Sequence, residues 1–429
     1  MKEFRIGMIG FGTVGTSVAA FLQKNCDLMA ARIGIRPVLA RIMVRNLDAD
    51  RAVEVAEGVL TTNGDDILNA DDIDVVVELI GGTTDAKKFV LQAIDNGKSI
   101  VTANKALLAF HGAEIFAAAE ANNVDVYFEA STAGGIPIIK TLREGLTGNR
   151  IESIYAILNG TCNYILTRME HEGIAFADVL EEAQKLGYAE ADPSFDIDGD
   201  DTAHKTVILT ALAFGRWFDV SRMHISGIRR LDVQDIENAA DMGYKIKLLA
   251  VVKPTGDDVD MRVHPVLIPA SSMLGQVSDV FNAVCVKGDA VGETMFYGRG
   301  AGGDATASAV VADLLEVGLN ISHDCARRVV PFQAHDTYGD LTPIDDVHSR
   351  YYIRLQVEDK PDVLSRITHI FGESNISIAS ILQKEKTEPV PVVLMTHVAR
   401  EKDVQSALQK IAGMDVVNGE PVLLRVEDL

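Results

Sequence analysis

The stretch FRIGMIGFGTVGTSVAAFL, residues 4–22, decides the fold. Phe4 to Ile9 is a β-rich run, G-F-G-T-V-G follows it directly, and Val14, Val18, Phe21 and Leu22 then recur as the apolar side of a helix. In a strand–turn–helix setting the glycines allow a tight turn, close approach of backbone to a pyrophosphate, and tight packing of helix on strand. The helix N-terminus adds amide donors and the positive end of its dipole. A dinucleotide site over Gly10, Phe11, Gly12, Thr13, Val14 and Gly15 is expected, against a plainer reading in which the glycines serve only a turn.

Working outward, β-rich runs at Pro37–Val44, Asp74–Leu79, Ser99–Thr102 and Asp125–Phe128 alternate with helical stretches. That rhythm predicts a Rossmann-type parallel sheet with crossover helices over residues 1–136. The acid that usually closes the second strand and grips a ribose 2′-hydroxyl is missing. The segment VLARIMVRN holds Arg41 and Arg45, with no acid before Asp48. Arginine pairs with a 2′-phosphate, so the balance tips towards NADP over NAD, with Arg45 as the cofactor residue; solvated arginines are the plainer alternative.

At about 150 residues per domain, 429 residues predict two to three domains. Residues 137–297 read as an α+β domain. Helical periodicity marks Phe176–Leu186 and Thr202–Phe214, and β-rich pieces mark Ile151–Leu158, Lys247–Val252, Met261–Leu267 and Phe281–Lys287. From Gly298, GRGAGGDATASAVVADLLEVG is a glycine-rich turn opening a helix, a segment 298–320 returning to the first domain. Residues 321–350 are polar and read as a linker. In 351–429 the order is strand Tyr351–Val357, helix Pro361–Glu373, strands Ile376–Lys384 and Val390–His397, helix Glu401–Ile411 and strand Pro421–Arg425. This βαββαβ order belongs to a small ferredoxin-like domain, and the whole chain is of α/β class.

Sixty-two acidic against forty basic residues give a net charge of -22, which repels phosphate backbones and anionic membranes, so nucleic acid is not an expected partner. Apolar runs such as Thr206–Phe214 fall far below the ~18 residues of a membrane span. Cys26, Cys162, Cys285 and Cys325 form no CxxC pair, which argues against a zinc site or a disulfide framework and for a cytoplasmic location.

Chemistry concentrates in GYAEADPSFDIDGDDTAHK, residues 187–205. Its acids lack the EF-hand spacing. A helix opening near Asp201 sets Asp201 and Lys205 four residues apart on one face, while His204 points elsewhere as a structural residue. A substrate ammonium wants a carboxylate such as Asp201 or Glu190, and a carbonyl being reduced wants a proton donor. Lysine becomes an effective acid when burial or a second ammonium lowers its pKa, and Lys105 in Thr102-Ala-Asn-Lys105 is the obvious second ammonium. A surface ion pair is the plainer reading of Asp201 and Lys205. Cys162 in NGTCNYI is either a thiolate nucleophile or, with no histidine near it in sequence, a small buried residue.

Taken together, GFGTVG (10–15), ELIGG (78–82), TANK (102–105), EASTAGGIPI (129–138), NGTCNYIL (159–166), GYAEADP (187–193), DTAHK (201–205) and GRGAGGDATASAV (298–310) resemble the homoserine dehydrogenase family. The resemblance implies interconversion of L-aspartate 4-semialdehyde and L-homoserine, in threonine, methionine and isoleucine biosynthesis. It implies direct hydride transfer with Lys205 as proton donor, Lys105 beside the substrate oxygen and nicotinamide, and the substrate amino group near Glu190 and Asp201. It further implies a structural sodium ion at Glu129 and the carbonyls of Thr132, Gly134 and Ile136, and a segment at Gly302 closing over the cofactor. Residues 351–429 resemble an ACT domain, which implies threonine feedback and a homodimer or homotetramer. VEDKPDVLSRI carries Asp362 where that module commonly has glycine, which weakens the case for threonine at this turn. Two rival readings are a phosphorylating aspartate semialdehyde dehydrogenase acting through a Cys162 thioester and a non-catalytic amino-acid sensor.

Overall fold

A computed structural model describes residues 2–335, 338–383 and 389–429. The chain divides into two compact units, the first being Met1–Ile154 with Ala203–Arg222 and Phe281–Tyr338, the second Tyr155–Thr202 with Met223–Val280 and Gly339–Leu429.

In the first unit, β1 (Lys2–Ile9), α1 (Thr13–Ile33), β2 (Ile35–Met43), β3 (Leu60–Thr61), β4 (Val75–Glu78), β5 (Ser99–Thr102) and β6 (Val126–Tyr127) build a sheet of order β3-β2-β1-β4-β5-β6. Every pairing in it is parallel. The order reverses between β1 and β4, and α/β sheets bind ligands at that crevice, outside the carboxyl ends of the strands. All four residues of β4 are buried, as expected of a parallel strand covered on both faces. The predicted strands recur within two residues of their observed ends. The two-residue β3 is too short to carry a periodic signal.

The helix Gly303–Ser322 packs along α1 and the sheet, burying Ala307, Val310, Val311, Leu314 and Val317 with Phe4, Val18 and Leu22. Its glycines permit the approach: a Cβ on Gly318 would stand 2.7 Å from the Phe4 ring, and one on Gly303 2.6 Å from Ser17 Oγ. This helix is also long and apolar enough to cross a membrane by length and composition. In the structure half of the apolar stretch is buried inside the protein. The same unit holds an antiparallel hairpin, Phe281–Gly288 with Gly292–Arg299, whose second strand was not anticipated.

In the second unit, Tyr244–Thr255 pairs antiparallel with Asp258–Pro269, which pairs parallel with Val422–Val426. Beyond Val422–Val426 come His348–Val357, Val390–Thr396 and Ile378–Gln383, all antiparallel. The helices Val363–Glu373 and Glu401–Ala412 cover this sheet through Ile367, Phe371, Val404, Leu408 and Ile411. This is the expected βαββαβ module, and its last strand is shared with the neighbouring β-structure. Buried charges hold that junction. Arg262, 2% exposed, donates to Asp260 Oδ1 at 2.7 Å and Glu427 Oε1 at 2.8 Å, and Lys253 reaches Glu427 Oε2 at 2.8 Å. Arg425 grips both oxygens of Glu401, which also accepts from Tyr351 OH. Such buried ions are tolerated because each charge is paired and hydrogen-bonded.

The stretch 321–350, read as a polar linker, is anchored along its described residues. Phe332 packs on Phe116 and Trp217, Leu341 is buried against Val259, and a strand begins at His348.

Candidate active site

The glycine turn is built by sterics. Gly10 has φ +106°, and a Cβ there would lie 2.8 Å from Leu79 O; a Cβ on Gly15 would lie 2.5 Å from Gly10 O. These two glycines hold the turn against β4 and the helix against the turn. Gly12 differs: its φ is -81° and a Cβ would meet nothing within 4 Å. The space over Gly12 is the cradle a pyrophosphate would fill. Gly12 caps α1 with no side-chain acceptor and no acid in the first turn, so the orphan amides of that turn are left for an anion. The residues present fit a dinucleotide.

Around the cradle, Phe11 is half-buried under the Arg51 guanidinium, 5.9 Å from its ring centroid. Arg51 also ties the carbonyls of Asn46, Leu47 and Ala49, organising the loop after β2. Sequence reading missed it, since it lies beyond the expected strand end. Arg45 stands exposed two residues past β2, whereas Arg41 is committed to Asp72 at 2.7 Å. Gly302 has φ +114°, opens the Gly303–Ser322 helix, and has open space where a Cβ would sit.

At the ends of β4 and β5 a buried network sets the position of Lys105. Glu78 Oε1 accepts the amides of Ile80 and Gly81 at 2.9 and 3.2 Å, and Oε2 accepts Thr102 Oγ1 at 2.7 Å. Burial pushes the Glu78 carboxyl up, while these three donors favour its ionised form. Thr102 Oγ1 in turn accepts the Asn104 amide; Asn104 donates to Gly82 O and caps the helix Lys105–Ala121 through Leu107 N. Lys105 is the first residue of that helix. ELIGG and TANK, two separate motifs in the sequence, are thus one hydrogen-bonded corner.

Lys205 is buried on the helix Asp200–Phe214. Within the first unit the helices of Lys105 and Lys205 pack together: the ring of Phe110 stands edge-on to His204 at 5.1 Å, and a Cβ on Gly112 would lie 2.6 Å from Trp217.

In the second unit Asn159 joins three segments. Its Nδ2 donates to Asp196 Oδ1 at 2.7 Å and Asp201 Oδ2 at 2.9 Å, and its Oδ1 caps the helix Gly160–Glu172 through Cys162 N. Asp201 is 4% exposed, so this bond fixes a buried carboxylate one helical turn before Lys205. Asn159 and Asp196 carry no local signal for the role, as 42 residues separate Asn159 from Asp201. Glu190 is exposed, with its carbonyl accepting from Gln184 Nε2 at 3.0 Å. Cys162 is fully buried with its thiol 3.2 Å from Asp196 O, the setting of an inert residue.

The EASTAGGIP loop lies against the return segment. Gly134, at φ +52°, would place a Cβ 2.5 Å from Gly300 O, and Gly135 N donates to Arg299 O. Glu129's carboxylate oxygens accept the amides of Ile139 and Lys140, each at 2.8 Å, while its own amide donates to Asp313. Burial raises both carboxyls, Asp313 well above the usual range. The loop's neutral oxygens still suit a monovalent cation, for the Thr132 hydroxyl is buried with no hydrogen-bond partner among the described residues.

Comparison with known proteins completes the picture. A family model described as homoserine dehydrogenase matches residues 137–315, its NAD-binding domain matches 10–129, and an ACT domain matches 351–414. The homoserine dehydrogenase of Neisseria gonorrhoeae is 46% identical, with 100% of both chains covered, and that of Bacillus subtilis 38%, covering 100% of this chain and 99% of its own. A crystal structure of a homoserine dehydrogenase from Thiobacillus denitrificans superposes with TM-score 0.93 at 48% identity, covering 100% of this chain and 99% of that one. A hyperthermophilic archaeal homoserine dehydrogenase in complex with NADPH superposes with TM-score 0.64 at 28% identity, covering 74% and 98%. The chain belongs to the homoserine dehydrogenase family of NAD(P)-dependent oxidoreductases and carries a C-terminal ACT domain.

Proposed function

We propose that this chain interconverts L-homoserine and L-aspartate 4-semialdehyde by direct hydride transfer, with Lys205 moving the proton. The observation that carries this reading is the buried Asp201 carboxylate, fixed by Asn159 one helical turn before Lys205. When bound, the nicotinamide cofactor supplies hydride exchange at the carbon bearing the substrate oxygen. The first turn of α1 holds the pyrophosphate through its backbone amides. Asp201 and Glu190 take the substrate ammonium; Asp201 does so as a pre-positioned buried anion, and Glu190 from the exposed loop. Lys205 gives its proton to the substrate oxygen in reduction and removes it in oxidation, while Lys105 stabilises negative charge developing there.

NADP is the preferred cofactor in this reading, with exposed Arg45 meeting the 2′-phosphate. A sodium ion is held by the backbone oxygens of the Glu129–Ile136 loop, with Thr132, Gly134 and Ile136 contributing carbonyls, and its role is structural. The ACT domain binds a small-molecule effector, threonine by family resemblance. The enzyme works in the cytoplasm as a homodimer or homotetramer.

The deciding experiment mixes purified protein with L-homoserine and NAD or NADP and follows absorbance of the reduced cofactor. Lys205→Ala is expected to lower turnover by ~10²- to 10⁴-fold while cofactor Kd stays near that of the parent. Near-parental turnover in that variant refutes the proton role. With L-aspartate 4-semialdehyde in place of L-homoserine, reduction of the oxidised cofactor that requires inorganic phosphate and vanishes in Cys162→Ala supports the rival thioester chemistry.

A further inference from the structure

Asn282, second residue of the strand Phe281–Gly288, is 1% exposed, and neither its Nδ2 nor its Oδ1 has a hydrogen-bond partner among the described residues. A buried asparagine amide with its donors and acceptor unmade costs free energy that an apolar side chain of the same size would not. Its surroundings show where it is aimed. A Cβ on Gly300 would lie 1.9 Å from Asn282 Nδ2, 2.0 Å from Cγ and 2.5 Å from Oδ1, so the amide is laid against the Gly300 backbone. A side chain at 300 would have to displace it. The pairing of Phe281–Gly288 with Gly292–Arg299 sets up this approach, since it places Asn282 directly across from Gly298.

The segment beside Asn282 leads straight to the cofactor cradle, within the same unit. Gly300 is buried and also held by the Glu129–Ile136 loop, through the close approach of Gly134 and the bond from Gly135 N to Arg299 O at 3.1 Å. Three residues on, Gly303 meets α1: a Cβ there would lie 2.6 Å from Ser17 Oγ and 3.4 Å from Thr13 Cγ2. Between these anchors Ala301 and Gly302 are exposed. The amides of Gly300 and Ala301 make no backbone hydrogen bond among the described residues. Unmade donors of the segment thus stand beside an unmade amide. The two are in contact without being bonded, and glycines at 300, 302 and 303 give the backbone freedom to turn.

We propose that Asn282 is a positioning residue for the nicotinamide dinucleotide: its amide is unpaired in the free protein and bonds the backbone of Gly300–Gly302 when that segment closes over the cofactor. Asn282 touches no reacting atom. Only a difference in interaction between open and closed segment can bias closure, and the buried amide supplies one. The inference rests on the reading of the first turn of α1 as the dinucleotide cradle, and not on Lys205 or the substrate.

The test uses the full chain, free and saturated with NADPH. In Asn282→Leu, which keeps the bulk and removes the amide, the free protein should have a Tm at or above the parental value while the Kd for NADPH rises about tenfold. In Asn282→Ala, which adds no bulk at Gly300, the Kd should rise by a similar factor. Hydrogen exchange in 298–303 should slow with NADPH in the parent and slow less in either variant. If Asn282→Leu fails to fold, Asn282→Ala and the exchange measurement decide. Parental NADPH affinity in a folded variant overturns the proposal. So does a Tm of Asn282→Leu that falls equally with and without NADPH, the mark of an amide already bonded in the free protein. Failure of the parent to bind either NADPH or NADH overturns the cradle reading and this inference together, whereas parental binding untouched by both variants overturns only the role of Asn282.

Discussion

Gly12→Ala and Gly15→Ala form a matched pair that separates cofactor binding from folding. A Cβ on Gly12 meets nothing within 4 Å at a φ of -81° that alanine adopts freely, so the fold accepts it. The methyl group instead occupies the space where the pyrophosphate must approach the first-turn amides. Losing one or two charge-assisted hydrogen bonds, at roughly 1.5–3 kcal/mol in total, raises the Kd for NADPH by ~10- to 100-fold. Stability should change by less than about 1 kcal/mol, since alanine loses some capping value while stiffening the unfolded chain. In Gly15→Ala the Cβ would lie 2.5 Å from a carbonyl oxygen of the backbone, with no side chain able to move aside. Overpacking of that kind costs ~1–3 kcal/mol, or several degrees in Tm. Fluorescence titration with NADPH and thermal unfolding of both variants provide the measurement. Parental NADPH affinity in a folded Gly12→Ala variant would show that the anion does not lie over Gly12.

Other outcomes are fixed by the same geometry. Glu78→Gln puts an amide against one of three donors, so it should destabilise the first unit by ~1–3 kcal/mol and lower kcat/KM through Lys105, read by thermal unfolding and steady-state kinetics. His224 is pushed down to about 4 by burial and by the Arg425 and Arg262 charges. Because the unfolded chain then binds the proton first, stability falls as pH drops from ~6.5 towards 4, by ~2–3 kcal/mol in all. His224→Phe should flatten urea-unfolding free energies over that window, and an unchanged slope would exclude His224 as the cause. Asp362 has φ +74°, the left-handed conformation that glycine adopts without strain. Asp362→Gly should therefore raise stability by ~0.5–1 kcal/mol, and a lower Tm would contradict this.

Much of the fold was legible because its determinants are local. The strand–glycine–helix run at 4–22 carries its own constraints, and the structure assigns Gly10 and Gly15 to close contacts and Gly12 to open space. The βαββαβ module was equally plain from alternation. What escaped depends on distance along the chain. Asn159 is an ordinary asparagine until folding sets Asp196 and Asp201 before it, and Glu78 is one acid among 62 until Thr102 arrives. Arg51 was hidden behind the more conspicuous Arg45. Glu129, expected by family resemblance at a cation site, is set by folding to accept two amides of the following helix with its carboxylate oxygens.

Glu427, which pairs with Arg262, directly follows the strand Val422–Val426. The segment after that strand is thus a structural brace, and removing Glu427 would leave the buried Arg262 with Asp260 as its one remaining carboxylate partner among the described residues while taking the carboxylate from Lys253. Anyone grafting this ACT domain onto another protein body, or exchanging it for a foreign one, must transplant Asp260 and Arg262 along with it.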